Sequence, residues 1–399
     1  MQNSAQRLET ILAIEVAAAR LEGIFLADPE LGRIWRAQAA LTEACRSVSL
    51  EDLPVKEGDV ATRPLIRGAS TEGIARGIWS AGELLKIMLS PGDAQSDMER
   101  AVRRAMRAGV RPEGTEEIIG EGDDAIYRAV AAALASAPGP LIGALRASLT
   151  LRMHTGSISP SAERLLFMIC DHAMRGGRAG REIADPLPEG LGLGAAIGAP
   201  AWIFLPSTGL TTDGFKIWSP GSSTGLDHLL TGLERELSRA VGVVPILRRW
   251  RQEARSLAES KRGDARTVDV IRLLVDQPIL TAAMVSTALG MTQRGALNIL
   301  NEVAELGLAG ELTYRRSHRA WAIGPLAQRL RGTSPKAALP RRRAMDAVED
   351  HQASVTFEPE EAEQQPRLED LDRSGEERAL AELDAAMSQI DAVLARYKK

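Results

Sequence analysis

Three things are scarce in this sequence: cysteine, aromatic side chains and long apolar runs. The two cysteines, Cys45 and Cys170, stand 125 positions apart with no partner at metal-ligand spacing. That excludes a disulfide-stapled scaffold and a zinc ribbon, and it fits a reducing compartment. Both thiols are expected to be small buried apolar groups. No apolar run reaches the roughly eighteen residues a membrane helix needs, and MQNSAQRLET lacks the basic, apolar, small-residue order of a secretory signal. The expected location is the cytoplasm, with no membrane contact. Aromatics make up 4% of the chain, too few for a base-stacking platform. Trp35, Trp79, Trp202, Trp218, Trp250 and Trp321 are therefore expected as core anchors.

Chemistry-bearing patterns are equally thin. His154, Asp171, His172 and His228 lack the spacing of a metal site. The glycines Gly190, Gly192, Gly194 and Gly198 lead into Pro200 rather than into a helix, so they do not form a dinucleotide loop. No serine or cysteine sits in a nucleophile context. The expectation is no catalytic residue, no cofactor and no metal.

What the sequence does have is charge, sorted by position. Residues 1–243 carry 25 Lys/Arg against 30 Asp/Glu, residues 244–343 carry 18 against 8, and residues 344–399 carry 6 against 15. A block of net +10 inside a chain of net −4 is the footprint of a polyanion-binding module.

The first 180 residues repeat apolar positions at three and four, which predicts amphipathic helices near 5–26, 31–47, 71–89, 95–108, 115–135, 140–152 and 161–175. Ser159, Pro160, Ser161 and Glu163 form a start signal before LLFMI. Residues 176–225 turn to Gly, Pro, Ser and Thr, which predicts loops or short strands. A helix at about 225–241 follows, and Pro245 is expected to open a basic connecting helix over 245–266. After Trp321 the pattern decays, with 326–378 expected as a disordered linker and acidic tail. The last segment, 379–398, places Leu380, Leu383, Met387, Ile390, Leu394 and Tyr397 on a short heptad seam. That seam suits either packing on the body or a homodimer.

Within the basic block, TAAMVSTALGMTQRGALNIL has the grammar of a helix-turn-helix over 267–325. Ser286 is the small residue at the crossing, Gly290 the turn, and Val285, Leu289, Met291, Ala296 and Ile299 the packing positions. Thr292 caps a second helix that runs through Asn301 and ends at Gly307. Its exposed face carries Gln293, Arg294, Asn298 and Asn301, side chains that pair with guanine or adenine edges. AGELTYRRSHRAWAI then alternates as two strands joined at Arg316, Ser317 and His318, which reads as a wing. Arg315, Arg316, His318 and Arg319 are the expected phosphate or minor-groove contacts, and Thr292, Gln293, Arg294 and Asn298 the base readers. The alternative for these residues is an ordinary helical hairpin with solvated charges, or a winged helix that binds protein.

The stretch TAAMVSTALGMTQRGALNILNEVAELGLAGELTYRRSHRAWAI resembles the C-terminal winged helix of many bacterial Fic-type proteins. AAARLEGIFLADPELGRIWRAQAALTEACRSVSLEDL resembles their N-terminal helices. Together the two cover about a fifth of the chain. As a whole the sequence is similar to a rhizobial, often plasmid-borne helix-turn-helix family of unknown function, which implies DNA binding without a target. The Fic motif H-P-F-x-[DE]-G-N-G-R is missing. Its nearest echo runs from His172 through Arg175 and Arg178 to Arg181, with no metal-binding acid and its arginines out of register.

The expected class is therefore mainly α: a helical domain over 1–240, the connecting helix, a winged helix-turn-helix and an acidic, partly disordered tail. The expected function is sequence-specific binding of double-stranded DNA by a transcriptional regulator. The alternatives from other classes are a Fic-like nucleotidyl-transfer enzyme, or its inactive nucleotide-binding derivative, and a protein-interaction scaffold.

Overall fold

The computed structural model describes residues 2–53, 55–62, 72–109, 124–156, 159–176, 221–260, 265–313 and 319–332. The N-terminal part is helical: α1 (Gln2–Ala27), α2 (Pro29–Ser49), α3 (Glu57–Thr62), α4 (Glu72–Leu89), α5 (Met98–Ala108), α6 (Asp124–Ala135), α7 (Pro140–Thr155) and α8 (Pro160–Met174). Then come α9 (Ser223–Ser260), α10 (Ala265–Asp276), β1 (Ile279–Thr281), α11 (Ala282–Leu289), α12 (Gln293–Glu305), β2 (Ala309–Glu311), β3 (Ala320–Ile323) and α13 (Gly324–Gly332). The mainly helical class holds. The expected heptad seam and acidic tail, and most of the Gly/Pro-rich segment with Trp202 and Trp218, lie outside the described residues.

Local chemistry sets several boundaries. Asp28 accepts from the Leu31 amide at 3.3 Å ahead of Pro29, and Ser159 accepts from the Ala162 amide at 3.3 Å ahead of Pro160. Each satisfies one orphan donor of a helix start, while the proline at the first position needs none. The start signal before LLFMI is thus the cap of α8. Glu51 reinforces it from a distance, accepting from the amide and hydroxyl of Ser161 at 2.9 and 2.7 Å.

α7 packs against α6 and α8, α2 against α4, and α1 against α9. Two clusters of charged groups inside this body are paired. Arg164 meets Glu43 at 2.8 Å, with its guanidinium 4.8 Å from the Phe167 ring centre. Arg175 binds Asp171 through two hydrogen bonds of 2.9 Å and Glu15 through one of 2.8 Å. Cys45 and Cys170 are buried free thiols, and burial pushes both above their ordinary range.

Four features differ from the sequence expectation. Pro245 does not start a helix; it lies inside the continuous 38-residue α9. A buried row of Leu237, Val244, Leu247 and Trp250 holds the helix on both sides of the proline, so packing outweighs the lost amide. The short elements α3 and β1 were not expected. The decay expected after Trp321 is instead the end of β3 followed by α13, so the first residues of the 326–378 segment are helical. Finally, Trp35, Trp250 and Trp321 are buried anchors, but Trp79 is 63% exposed.

The C-terminal module is seated on the body by directed polar contacts. Trp250 Nε1 donates to the Leu308 carbonyl at 2.8 Å. Arg251 pairs with Asp28 through both terminal nitrogens, Arg255 reaches Glu30 at 2.6 Å, and Arg33 reaches Asp276 at 3.2 Å. Part of the basic helix therefore turns its cations onto acids of the body.

Candidate nucleic-acid interface

The module from α10 to β3 is built around a tight turn. Gly290 ends α11 in the left-handed region at φ 59° and ψ 40°, where a side chain is strained. Its amide returns to the Ser286 carbonyl, and the Ser286 hydroxyl donates to the Met291 carbonyl at 2.5 Å. Val285 and Ala296 are buried, and Leu289, Met291 and Ile299 are packed against the core. Leu300 and Val303 complete the contact and were missed in the sequence reading. Thr281 caps α11 by accepting from the Met284 amide, and Thr292 caps α12 by accepting from the Gly295 amide, both at 3.2 Å.

This packing decides which residues of α12 meet solvent. Thr292, Gln293, Arg294 and Asn298 are all exposed, at the start of the helix. Gln293, Arg294 and Asn298 make no side-chain hydrogen bond or ion pair among the described residues. The helix N-terminus adds free amides and the positive end of the dipole, which favour an anion there. Asn301 differs from expectation: it is half-buried, and its Oδ1 accepts from Arg319 at 3.1 Å, so it cannot offer a base the paired acceptor and donor of a free amide.

The three strands form one antiparallel sheet in the order β1-β3-β2. Ile279 stands opposite Ala322, and Ala309 opposite Ile323. Trp321, fully buried, is the centre of this small sheet. Arg315, Arg316 and His318, the expected contacts between β2 and β3, lie outside the described residues. Arg319 is described, and it is committed inward. It bonds Glu311 at 2.8 and 2.5 Å and Asn301 at 3.1 Å, and its guanidinium lies 4.7 Å from the Trp321 ring centre. Its hydrogen bonds to the Glu311 carboxylate hold the Arg319 guanidinium above its ordinary pKa. Arg319 thus ties the root of the hairpin to α12 and has little left to offer a phosphate.

One cation at the turn was missed. Arg266, exposed at the start of α10, donates to the Leu289 carbonyl at 2.6 Å and so stands at the C-terminal end of α11. It belongs to the +10 block, but its nearness to the turn is tertiary and has no local signal. Elsewhere, Arg175, within the echo of the Fic motif, is locked to Asp171 just before it, and residues 178–181 of that echo lie outside the described residues. Among the described residues no group of three His, Cys, Asp or Glu side chains is placed to hold a metal, and no helix is long and apolar enough to cross a membrane.

Two helices joined by a left-handed glycine, with an exposed polar row opening the second, define a helix-turn-helix. A family model described as an HTH DNA binding domain matches residues 268–323, the same span as the helices and sheet just described. The chain thus carries a helix-turn-helix DNA-binding domain. A search of curated proteins found no match.

Proposed function

We propose that the protein is a cytoplasmic transcriptional regulator that reads duplex DNA as a winged helix, with α12 in the major groove and the β2–β3 hairpin on the backbone. The observation that carries this reading is the exposed row of Thr292, Gln293, Arg294 and Asn298. Nothing about a solvated surface requires a glutamine, an arginine and an asparagine to stand together at a helix start without partners among the described residues. Paired donors and acceptors of this kind match the edges of guanine and adenine. The Thr292 hydroxyl accepts from its own helix and keeps its proton for a phosphate or a base. Arg266 stands at the turn beside that row, and the cations Arg315, Arg316 and His318 between β2 and β3 in sequence are assigned to the backbone in this reading. Arg319 acts through other residues: it sets the angle of the hairpin against α12. No catalytic step is needed in this reading.

The test separates base reading from charge. Arg294→Ala should remove about 1–3 kcal/mol of discrimination at one or two base positions. Arg316→Ala should weaken all duplexes alike and reduce the salt slope by about one unit. Binding of both variants to a preferred site, its single-base changes and random duplex across a salt series reads both effects. Uniform weakening by Arg294→Ala would make it a backbone contact and shift the register of the reading row.

A further inference from the structure

We propose that the cleft between α2, α9 and α13 binds a small, uncharged, largely apolar molecule with an amide head. The cleft has a volume of about 450 Å³, within the range of small-molecule sites. Trp35, Ala39, Ala240, Val243, Ile246 and Pro325 give it apolar walls. Ile246 is left 55% exposed there, a large apolar side chain that nothing in the described chain covers.

The polar groups of the cleft set the head. Gln38 is only 6% exposed, yet its Nε2 has no hydrogen-bond partner. Arg329 Nε is buried in the same condition. Glu57 Oε2 stands 2.9 Å from Arg329 Nη2 without the alignment of a hydrogen bond. These side chains come from α2, α13 and α3, and all three line the one cleft. Native proteins rarely leave buried polar atoms unmatched, and the three side chains that carry these atoms meet at one cleft, where a ligand completes them as they turn toward it.

Two unmatched N–H donors call for a carbonyl oxygen, and the carboxylate oxygen calls for an N–H. An amide supplies both. A carboxylate ligand would be poorly received. Glu43, Glu57 and Glu236 line the cleft, and each already has its arginine: Arg164, Arg329 and Arg239. Among the described residues of the cleft no cation is spare for a fourth acid, and an unpaired charge in such a site is costly.

Occupation has a route to the DNA-binding domain, a consequence that rests on the function proposed above. Pro325 and Arg329 belong to α13, which continues directly from β3. The same helix backs the hairpin: Arg331 donates to the Glu311 carbonyl, and a Cβ on Gly310 would come within 2.7 Å of Ala327. A molecule that moves α13 therefore moves the frame of the hairpin.

The experiment titrates the full chain, without DNA, with phenylacetamide and octanamide, using phenylacetate and octanoate as their charged counterparts. Binding is followed by saturation-transfer NMR. The amides should bind at least ten-fold tighter than the carboxylates. Gln38→Leu should weaken them about ten-fold, and Val243→Trp, which fills the cleft, should abolish binding while the circular dichroism melt stays cooperative. Ala240→Phe fills the same space from one turn away and serves if Val243→Trp does not fold. Absence of amide binding, carboxylates that bind as tightly, or binding that survives the filling variant would overturn the site. A separate titration of duplex DNA at saturating amide should change affinity at least three-fold. No change would overturn the coupling to α13, whereas a chain that ignores DNA in every condition would count against the DNA-binding function and not against the cleft.

Discussion

At the start of α12 the capped, exposed residues were readable from sequence because their roles are local. Thr292 had to be a cap, Gly290 had to take the left-handed turn, and the 3.6-residue period then placed Gln293, Arg294 and Asn298 on the outer face. Asn301 and Arg319 were misplaced because their partners are tertiary: no spacing rule reveals that Glu311 and Asn301 will close on one guanidinium. The same applies to Glu22 in the body. Burial raises its pKa to about 7, with Arg175 opposing and Asp171 and Glu15 adding to the rise. A carboxyl whose folded pKa is raised binds protons more readily in the folded state, so its ionisation costs stability as pH rises from about 4.5 to about 7. Glu22→Gln should therefore stabilise the protein at pH 8, by about 1 kcal/mol once solvent screening of a part-exposed group is allowed for, and the gain should fade towards pH 4.5. Urea unfolding at pH 5 and pH 8 measures it; an equal gain at both would contradict the assignment.

Among the elements, long helices were legible and short ones were not. A strand of three residues such as β1 has no period to detect, and it exists because Ile279, Leu280 and Thr281 find Ala322, Trp321 and Ala320 on β3. The helix α13 was hidden for a related reason: its Leu326, Ala327 and Leu330 are buried against the sheet, but the stretch is too short and basic to stand out from a linker. α9 was split at Pro245 because propensity was weighed without the buried row that spans it. Two close approaches test how firmly these elements are joined. Gly310→Ala would put a Cβ 2.7 Å from both Ala327 Cβ and Arg331 Nη2, so β2 and α13 must part. The expected loss is about 1–3 kcal/mol, read as a lower thermal midpoint. Trp250→Phe removes one of the two donors to the buried Leu308 carbonyl, leaving only the Gly324 amide, and shrinks a buried ring, so it should cost about 1–3 kcal/mol in denaturant unfolding. If neither variant lowers stability, the seating of the hairpin on α9 and α13 is not as described.

For the molecule as a whole, net charge by segment pointed to the right module but overstated the charge it can present. Arg251 and Arg255 of the +10 block are spent on Asp28 and Glu30, an arrangement that seats the DNA-binding domain on the helical body. The paired Asp28 titrates below its ordinary value: burial opposes this, but hydrogen bonds from Arg251 and the Leu31 amide outweigh it. Its contribution is thus present above about pH 4 and lost as pH falls further. The acidic segment 344–399, net −9, is proposed as a second competitor for the basic block. Truncation after Arg343 should tighten DNA binding at low salt and matter less at high salt; sedimentation of both chains distinguishes this from the loss of a dimer through the 379–398 seam. Unchanged or weaker affinity at constant mass would contradict the competition. The most direct test of the central claim is selection of preferred sites by the full chain from random duplex DNA. Base reading by α12 predicts one enriched motif, with guanine or adenine at the positions lost on Arg294→Ala; recovery of unenriched duplex, or of none, would contradict it.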